Sequence, residues 1–351
     1  MRKVGDALVS TGLAALGYTS VNMDDCWQVD RQPNGTIIAD PTRFPLGIQA
    51  TAEYIRSLGL HFGLYTAQRE YTCQQRPGSW RFEQIDIDYY CAAGVEFVKT
   101  DACGGRGWPE DNKTWIDFRA GITRCTQGGG RPIVLSVESC NDPRPGGCGE
   151  WIGSLANMWR TTGDIQATFR SVMGNLDGNN DMAQFAGPGH FNDPDMLQIG
   201  NAGLSPVEAR THFAAWCIAA APLLIAADLV SGLDADSMAV LSAPELVAVD
   251  QDPLGVQGVR VSPAAPQGSE CWARPLADGG VAALLVNRGE GPADATCTFE
   301  ELGLKDPSAP AQVRDLWRRA DLGAFNASFT AKALPAHGSM AIKLTQQAVA
   351  K

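Results

Sequence analysis

Over the first 255 residues, apolar positions alternate between helical spacing and short continuous runs. Val4, Ala7, Leu8 and Leu13 fall on one helical face and predict a helix over 1–16. A strand at Tyr18–Met23 follows and ends in Asp24-Asp25-Cys26-Trp27. A helix at Gly47–Leu58 then leads to a strand at His61–Tyr65, and a helix at Phe82–Ala93 leads to a strand at Glu96–Thr100. A helix at Trp115–Thr126 leads to a strand at Pro132–Val137. Further strands are predicted at Met158–Arg160, His190–Asn192 and Leu223–Ala226, with helices at Ile165–Gly174 and Ser205–Ala219 between them. Repeated helix–strand order implies a parallel sheet with right-handed crossovers. The count is seven strands where a closed (β/α)8 barrel has eight, so the first strand is expected to precede residue 1.

After Asp252-Pro253-Leu254-Gly255 the helical spacing stops. Short β-type runs such as Val281–Val286 and Met340–Leu344 are separated by Pro, Gly and Asp. The reading is an α/β fold: a barrel-type domain over 1–255, then a small antiparallel β-sandwich domain over 256–351.

Composition narrows the function. The 351 residues include 28 Lys+Arg and 39 Asp+Glu, a net charge of −11, which disfavours nucleic acid as a partner. The longest apolar run, Phe213–Ala227, contains Pro222 and is too short to span a bilayer. It reads as a buried helix running into a buried strand, and no membrane partner is expected. Ten cysteines, and the sequons at Asn34, Asn112 and Asn326, fit a secreted, lysosomal or vacuolar glycoprotein. Met1-Arg2-Lys3 is basic, but Asp6, Ser10 and Thr11 interrupt the stretch after it. An export signal is therefore expected to lie outside this chain, which is either processed or begins inside a larger protein.

Nucleotide-binding glycine motifs, H-E-x-x-H and paired C-x-x-C are absent from the sequence, and the four histidines are scattered. Asp177-x-Asn179-x-Asp181 opens like a calcium loop, but Met182 stands at the glycine position and Pro188 at the closing glutamate. No metal or cofactor is expected. The chemistry then falls to carboxylates. Asp24, Asp25, Asp101, Glu138, Asp164 and Asp193 sit at or just after predicted strand ends, the catalytic end of such a barrel. Facing carboxylates divide into ionised and protonated partners, which is what glycoside cleavage uses. Each could instead cap a local turn or helix. Lys99 lies two residues before Asp101, on the same strand face, where a cation favours an ionised nucleophile. Arg160 stands similarly near Asp164, and its fork suits vicinal hydroxyls. Trp80 and Trp108 are candidates for stacking on sugar rings or for packing.

Eight ordered stretches, among them VNMDDCW (21–27), GLHFGLYTA (59–67), FVKTDACG (97–104), MWRTTGDI (158–165) and AGPGHFNDPDMLQIGN (186–201), resemble glycoside hydrolase family 27. This is the family of α-galactosidases and α-N-acetylgalactosaminidases. The resemblance implies a retaining hydrolase releasing terminal α-D-galactose by double displacement, with Asp101 as nucleophile and Asp164 as acid/base. Their carboxyls would lie about 5–5.5 Å apart. It further implies that Asp24 and Asp25 bind the 4- and 6-hydroxyls and Lys99 the 3- and 4-hydroxyls. Glu138 and Arg160 would bind around the 2- and 3-hydroxyls, and Cys73–Cys103 would form a disulfide beside the pocket. The partner implied is a galactoside or glycoconjugate, and a homodimer is left open.

This sequence departs from the family pattern in three ways. The opening W-N-S-W-like strand is absent from the chain, which leaves Cys26 without its usual partner. Cys140 and Cys148 could form a local bridge. The loop Ser139–Asp142, which reads the 2-position, matches neither branch of the family, so an α-N-acetylgalactosaminidase stays an alternative. So does a galactose-binding protein impaired by the missing strand. Cys271 and Cys297 could bridge the C-terminal domain, Cys217 reads as a buried thiol, and Cys91 and Cys125 have no assigned partner.

Overall fold

The computed structural model describes residues 1–106, 112–138, 140–145, 147–265 and 267–346. The chain divides into two compact units, Met1–Arg160 and Thr161–Lys351.

In the first unit, α1 (Arg2–Ser10) precedes β1 (Ser20–Asn22) and a hairpin of β2 (Gln28–Arg31) and β3 (Ile37–Ala39). Then come α2 (Gly47–Ser57), β4 (His61–Ala67), α3 (Glu83–Ala93), β5 (Phe97–Asp101) and α4 (Lys113–Gln127). The unit closes with β6 (Val134–Val137), α5 (Gly149–Leu155) and β7 (Met158–Arg160). The predicted helix over 1–16 stops at Ser10. There the Ser10 and Thr11 hydroxyls bond back to the Ala7 carbonyl (3.3 and 2.7 Å) and Gly12 turns left-handed at φ +82°.

The sheet runs β1-β4-β5-β6-β7, all parallel, with Ser20 opposite His61, Gly63 opposite Phe97, Phe97 opposite Val134 and Ser136 opposite Met158. Within this unit's described residues β1 pairs only with β4, and so forms an edge. Six of the seven residues of β4 are buried, the near-continuous burial of a strand covered on both faces. Gly63 makes this fit: a Cβ there would lie 2.2 Å from the Asn22 side-chain oxygen and 2.9 Å from Phe97 Cβ. Cys91 and Cys125 form a disulfide that joins α3 to α4, a pairing the sequence left unassigned.

In the second unit come α6 (Phe169–Asn180), β8 (Phe191–Asp193), α7 (Pro206–Ile218), α8 (Ala235–Leu241) and α9 (Pro244–Asp250). Ser205 and Glu208 form a reciprocal capping box at the start of α7, with Pro206 in its first turn. From Thr211 to Ile218 every residue of α7 is buried, as its apolar run predicts. The strand predicted at Leu223–Ala226 does not form. Only a single parallel bridge joins Ile225 to Leu197, because the chain leaves α7 through Pro222 and keeps one rung of pairing. Asp177 and Asn179 lie on α6 rather than in a loop. Asp177 pairs with Arg260 (2.9 Å) and Arg288 (2.7 Å), and Asn179 is buried against Thr161 and Gln257.

The C-terminal β elements are β9 (Val259–Arg260), β10 (Ser269–Pro275), β11 (Val281–Asn287), β12 (Ala293–Thr298), β13 (Ala311–Asp315), β14 (Ala320–Phe325), β15 (Ser328–Leu334) and β16 (Ser339–Thr345). They form an antiparallel sheet β14-β13-β16-β11-β10-β9 and a second pair, β12-β15. Ala283, Leu285, Phe299, Val313, Phe329 and Ile342 fill the core, and the Cys271–Cys297 disulfide links β10 to β12. Cys217 is a buried free thiol and Cys26 a half-buried one.

Candidate active site

The site is assembled in the first unit from the C-terminal ends of successive strands. After β1 the chain turns through Asp24 and Asp25 into Cys26, which is held at φ +72°. The turn is anchored by Trp27, fully buried, whose indole N–H donates to the Tyr65 carbonyl at 2.7 Å. Asp24 Oδ1 accepts the Asp25 N–H (2.8 Å). Asp25 Oδ1 accepts the Cys26 N–H (2.6 Å), and its Oδ2 accepts the Gln74 N–H (2.9 Å). Both carboxylates are thus oriented by backbone donors.

Lys99 and Asp101 sit on one face of β5. The Lys99 ammonium bonds Asp24 Oδ2 at 3.1 Å, reaching across to the turn after β1. Burial works against the Lys99 charge, but the fields of Asp24, Glu138 and Asp101 outweigh it and raise the Lys99 pKa. The lysine therefore stays a cation in the field of three carboxylates. Asp101 Oδ1 accepts the Ala102 N–H (2.7 Å) and its Oδ2 accepts the Tyr65 hydroxyl (2.8 Å). Burial, followed by the charge of Asp101, pushes the Tyr65 pKa up, which keeps the phenol a proton donor to this carboxylate.

Glu138 follows β6, with its N–H donating to the Thr100 carbonyl (2.9 Å). Arg160 ends β7, is buried, and lies 3.4 Å from Glu138. Asp24, Asp25, Lys99, Asp101, Glu138 and Arg160 are thus presented by β1, β5, β6 and β7. Cys73 and Cys103 form the disulfide that the family resemblance implies, and Cys140–Cys148 bridge locally. Cys73, Asp101 and Cys103 come close enough together for a metal, but both sulfurs are spent in the disulfide and offer no thiolate.

Asp164 belongs to the second unit. It is exposed in the loop between β7 and α6, where the next N–H, that of Ile165, donates to Asp195 Oδ2 at 2.8 Å. Asp193 is buried and accepts the Asp195 N–H (2.9 Å), so it organises its own turn. In the 2-position loop, Ser139 lies outside the described residues, as does Trp108. Asp142 in that loop accepts from Arg144 Nε and Nη2, bonds that bring its pKa down to about 2. Sequence reading missed Tyr65. The available signal was its position on β4, two residues before Ala67, which pairs with Asp101.

Carboxylates with a lysine and an arginine at the ends of parallel strands, in a chain that closes with an antiparallel β domain, mark a barrel-class glycoside hydrolase. The family described as "Alpha galactosidase A" matches residues 1–252, and the "Alpha galactosidase C-terminal beta sandwich domain" matches residues 266–344. A "Probable alpha-galactosidase" of Dictyostelium discoideum is 38% identical over 97% of this chain and 86% of that protein. An α-galactosidase of Oryza sativa subsp. japonica is 37% identical over 92% of this chain and 75% of that protein. The crystal structure of α-galactosidase I from Mortierella vinacea superposes with a TM-score of 0.90 at 29% identity, covering 100% of this chain and 93% of that one. The chain belongs to glycoside hydrolase family 27 and is an α-galactosidase by class, with a (β/α)8-type barrel fold followed by a β-sandwich.

Proposed function

We propose that the enzyme releases terminal α-D-galactose with retention of configuration. Asp101 attacks the anomeric carbon as the C–O bond to the aglycone breaks, and Asp164 gives its proton to the departing oxygen. Water, deprotonated by Asp164, then displaces Asp101 and frees α-galactose. The observation that carries this reading is the Asp101 carboxylate at the end of β5. It is oriented by Tyr65 and Ala102, within a cluster whose lysine stays charged. Asp164 takes the acid/base role from its place after the W-R stretch. Asp24, Asp25 and Lys99 would hold the 4-, 6- and 3-hydroxyls, and Glu138 and Arg160 the 2- and 3-hydroxyls.

The catalytic domain is placed at 1–255 and the β domain at 256–351. The four disulfides support folding in an oxidising compartment, and with it secretion or delivery to a lysosome or vacuole. In the test, the purified chain is given an aryl α-galactoside and galactose is measured. Asp101→Asn is expected to lose at least about 10³-fold in kcat. Turnover by that variant at the parent rate refutes the assignment.

A further inference from the structure

Two segments border the carboxylate cluster of the first unit: residues 68–81 after β4 and 102–106 after β5. They are tied to the cluster and to each other. The Gln68 N–H donates to the Asp101 carbonyl (2.8 Å) and the Gln74 N–H to Asp25 Oδ2 (2.9 Å). The Glu70 N–H donates to the Arg106 carbonyl (2.7 Å), and the Cys73–Cys103 disulfide joins the two segments covalently.

The rim's charge runs against that of the whole chain. On a protein of net charge −11, residues 68–81 carry Arg69, Arg76 and Arg81 against a single acid, Glu70, and Arg106 follows β5, with Glu110 and Asp111 further along the sequence before α4. Arg106 spends its fork on Glu70 (3.2 and 3.3 Å). Arg69 and Arg81 are exposed; Arg81 acts on Glu70 through its charge, but no hydrogen bond joins its guanidinium to that acid among the described residues. Arg81 lies 4.2 Å from the centre of the Trp80 ring, and Arg106 lies 5.4 Å from it. A guanidinium laid on an indole face is oriented in advance and keeps its edge N–H groups for an oxyanion. Arg81 also holds φ +69°, a left-handed conformation that glycine adopts more cheaply, yet the position carries an arginine.

We propose that this rim is an anion-recognising aglycone subsite. The substrates it favours are α-galactosides whose next sugar bears a carboxylate or a sulfate, held by Arg81 and Arg69 beside Trp80. This rests on the galactosidase reading given above. The test measures kcat/KM on three matched disaccharides, α-galactosyl-glucose, α-galactosyl-glucuronate and α-galactosyl-glucose sulfate, at low and high salt. One charge-assisted contact predicts a charged-to-neutral ratio of about tenfold or more at low salt, shrinking at high salt. In Arg69→Gln/Arg81→Gln the ratio is expected to fall to about one. The anionic arm with the higher ratio tells a carboxylate site from a sulfate site. A ratio near one in the parent enzyme, or one unchanged in the double variant, overturns the proposal. If galactose release from the neutral disaccharide is present with no charge preference, the subsite fails alone. If no galactoside is cleaved, the underlying reading fails with it.

Discussion

Tyr65 shows how the site depends on one hydroxyl. It is buried on β4, its carbonyl receives the Trp27 indole, and its phenol donates to Asp101 at 2.8 Å. One strand residue therefore ties the Asp24–Asp25 turn to the proposed nucleophile. A hydrogen bond to a charged group contributes about 1.5–3 kcal/mol. Tyr65→Phe is expected to lower kcat/KM on an aryl α-galactoside about 10- to 100-fold without loss of fold. A change below about twofold would show that Ala102 alone positions the carboxylate. The residues that could be read from sequence were those whose charge had no structural use in a strand: Asp101, Lys99, Glu138 and the Asp24–Asp25 pair. Tyr65 stayed hidden because an aromatic residue in an apolar run is the ordinary content of a buried strand. Spacing along β5 reports the shared face of Lys99 and Asp101, and Asp101 adds to the field on the ammonium; the hydrogen bond of Lys99 to Asp24, in the turn after β1, could not be read from that spacing.

At the level of elements, the parallel strands of the first unit were legible as short apolar runs, four of the five preceded by a predicted helix; α5, before β7, was not read from the sequence. The β2–β3 hairpin was not, since its polar alternation over 28–39 contains few apolar residues. The strand predicted at Leu223–Ala226 failed because an apolar run after a helix reports burial, and burial alone does not supply a pairing partner. α6 runs on to Asn180, past Gly174 and Gly178, which look like helix ends in sequence; Gly178 sits where a Cβ would press on the Thr162 methyl at 2.9 Å. The α3–α4 pair carries the Cys91–Cys125 bridge, with Gly130 packed so closely that a Cβ would lie 2.6 Å from the Cys91 sulfur. That bridge closes a loop with a sequence separation of 34. In the chain-entropy view, a loop of that length contributes about 3–4 kcal/mol. Cys91→Ala/Cys125→Ala should lower the midpoint of denaturant unfolding accordingly. An unchanged midpoint would mean that helix packing alone holds the pair.

Across the whole molecule, acidity shapes stability as well as charge. Asp250, at the end of α9, is buried, accepts a bond from the Gln251 amide (2.6 Å), and lies in the field of Arg274, itself buried on β10. Burial dominates and raises its pKa from 3.8 to about 7. A folded-state pKa above the unfolded value means that the native state holds this proton more tightly. The stabilisation is complete below about pH 4 and is lost as pH rises through 7. Asp250→Asn should therefore gain on the parent in melting temperature steadily between pH 4.5 and 7. Melting curves that stay parallel across that range would contradict the assignment.

The central claim is that Asp101 forms a covalent bond to galactose. Incubation with a slow fluorinated galactosyl donor, followed by mass spectrometry of the digested protein, tests it directly. A galactosyl adduct on the peptide carrying Asp101, absent from Asp101→Asn, is the result expected. An adduct on a different carboxylate, or first-released galactose of inverted configuration, would contradict it.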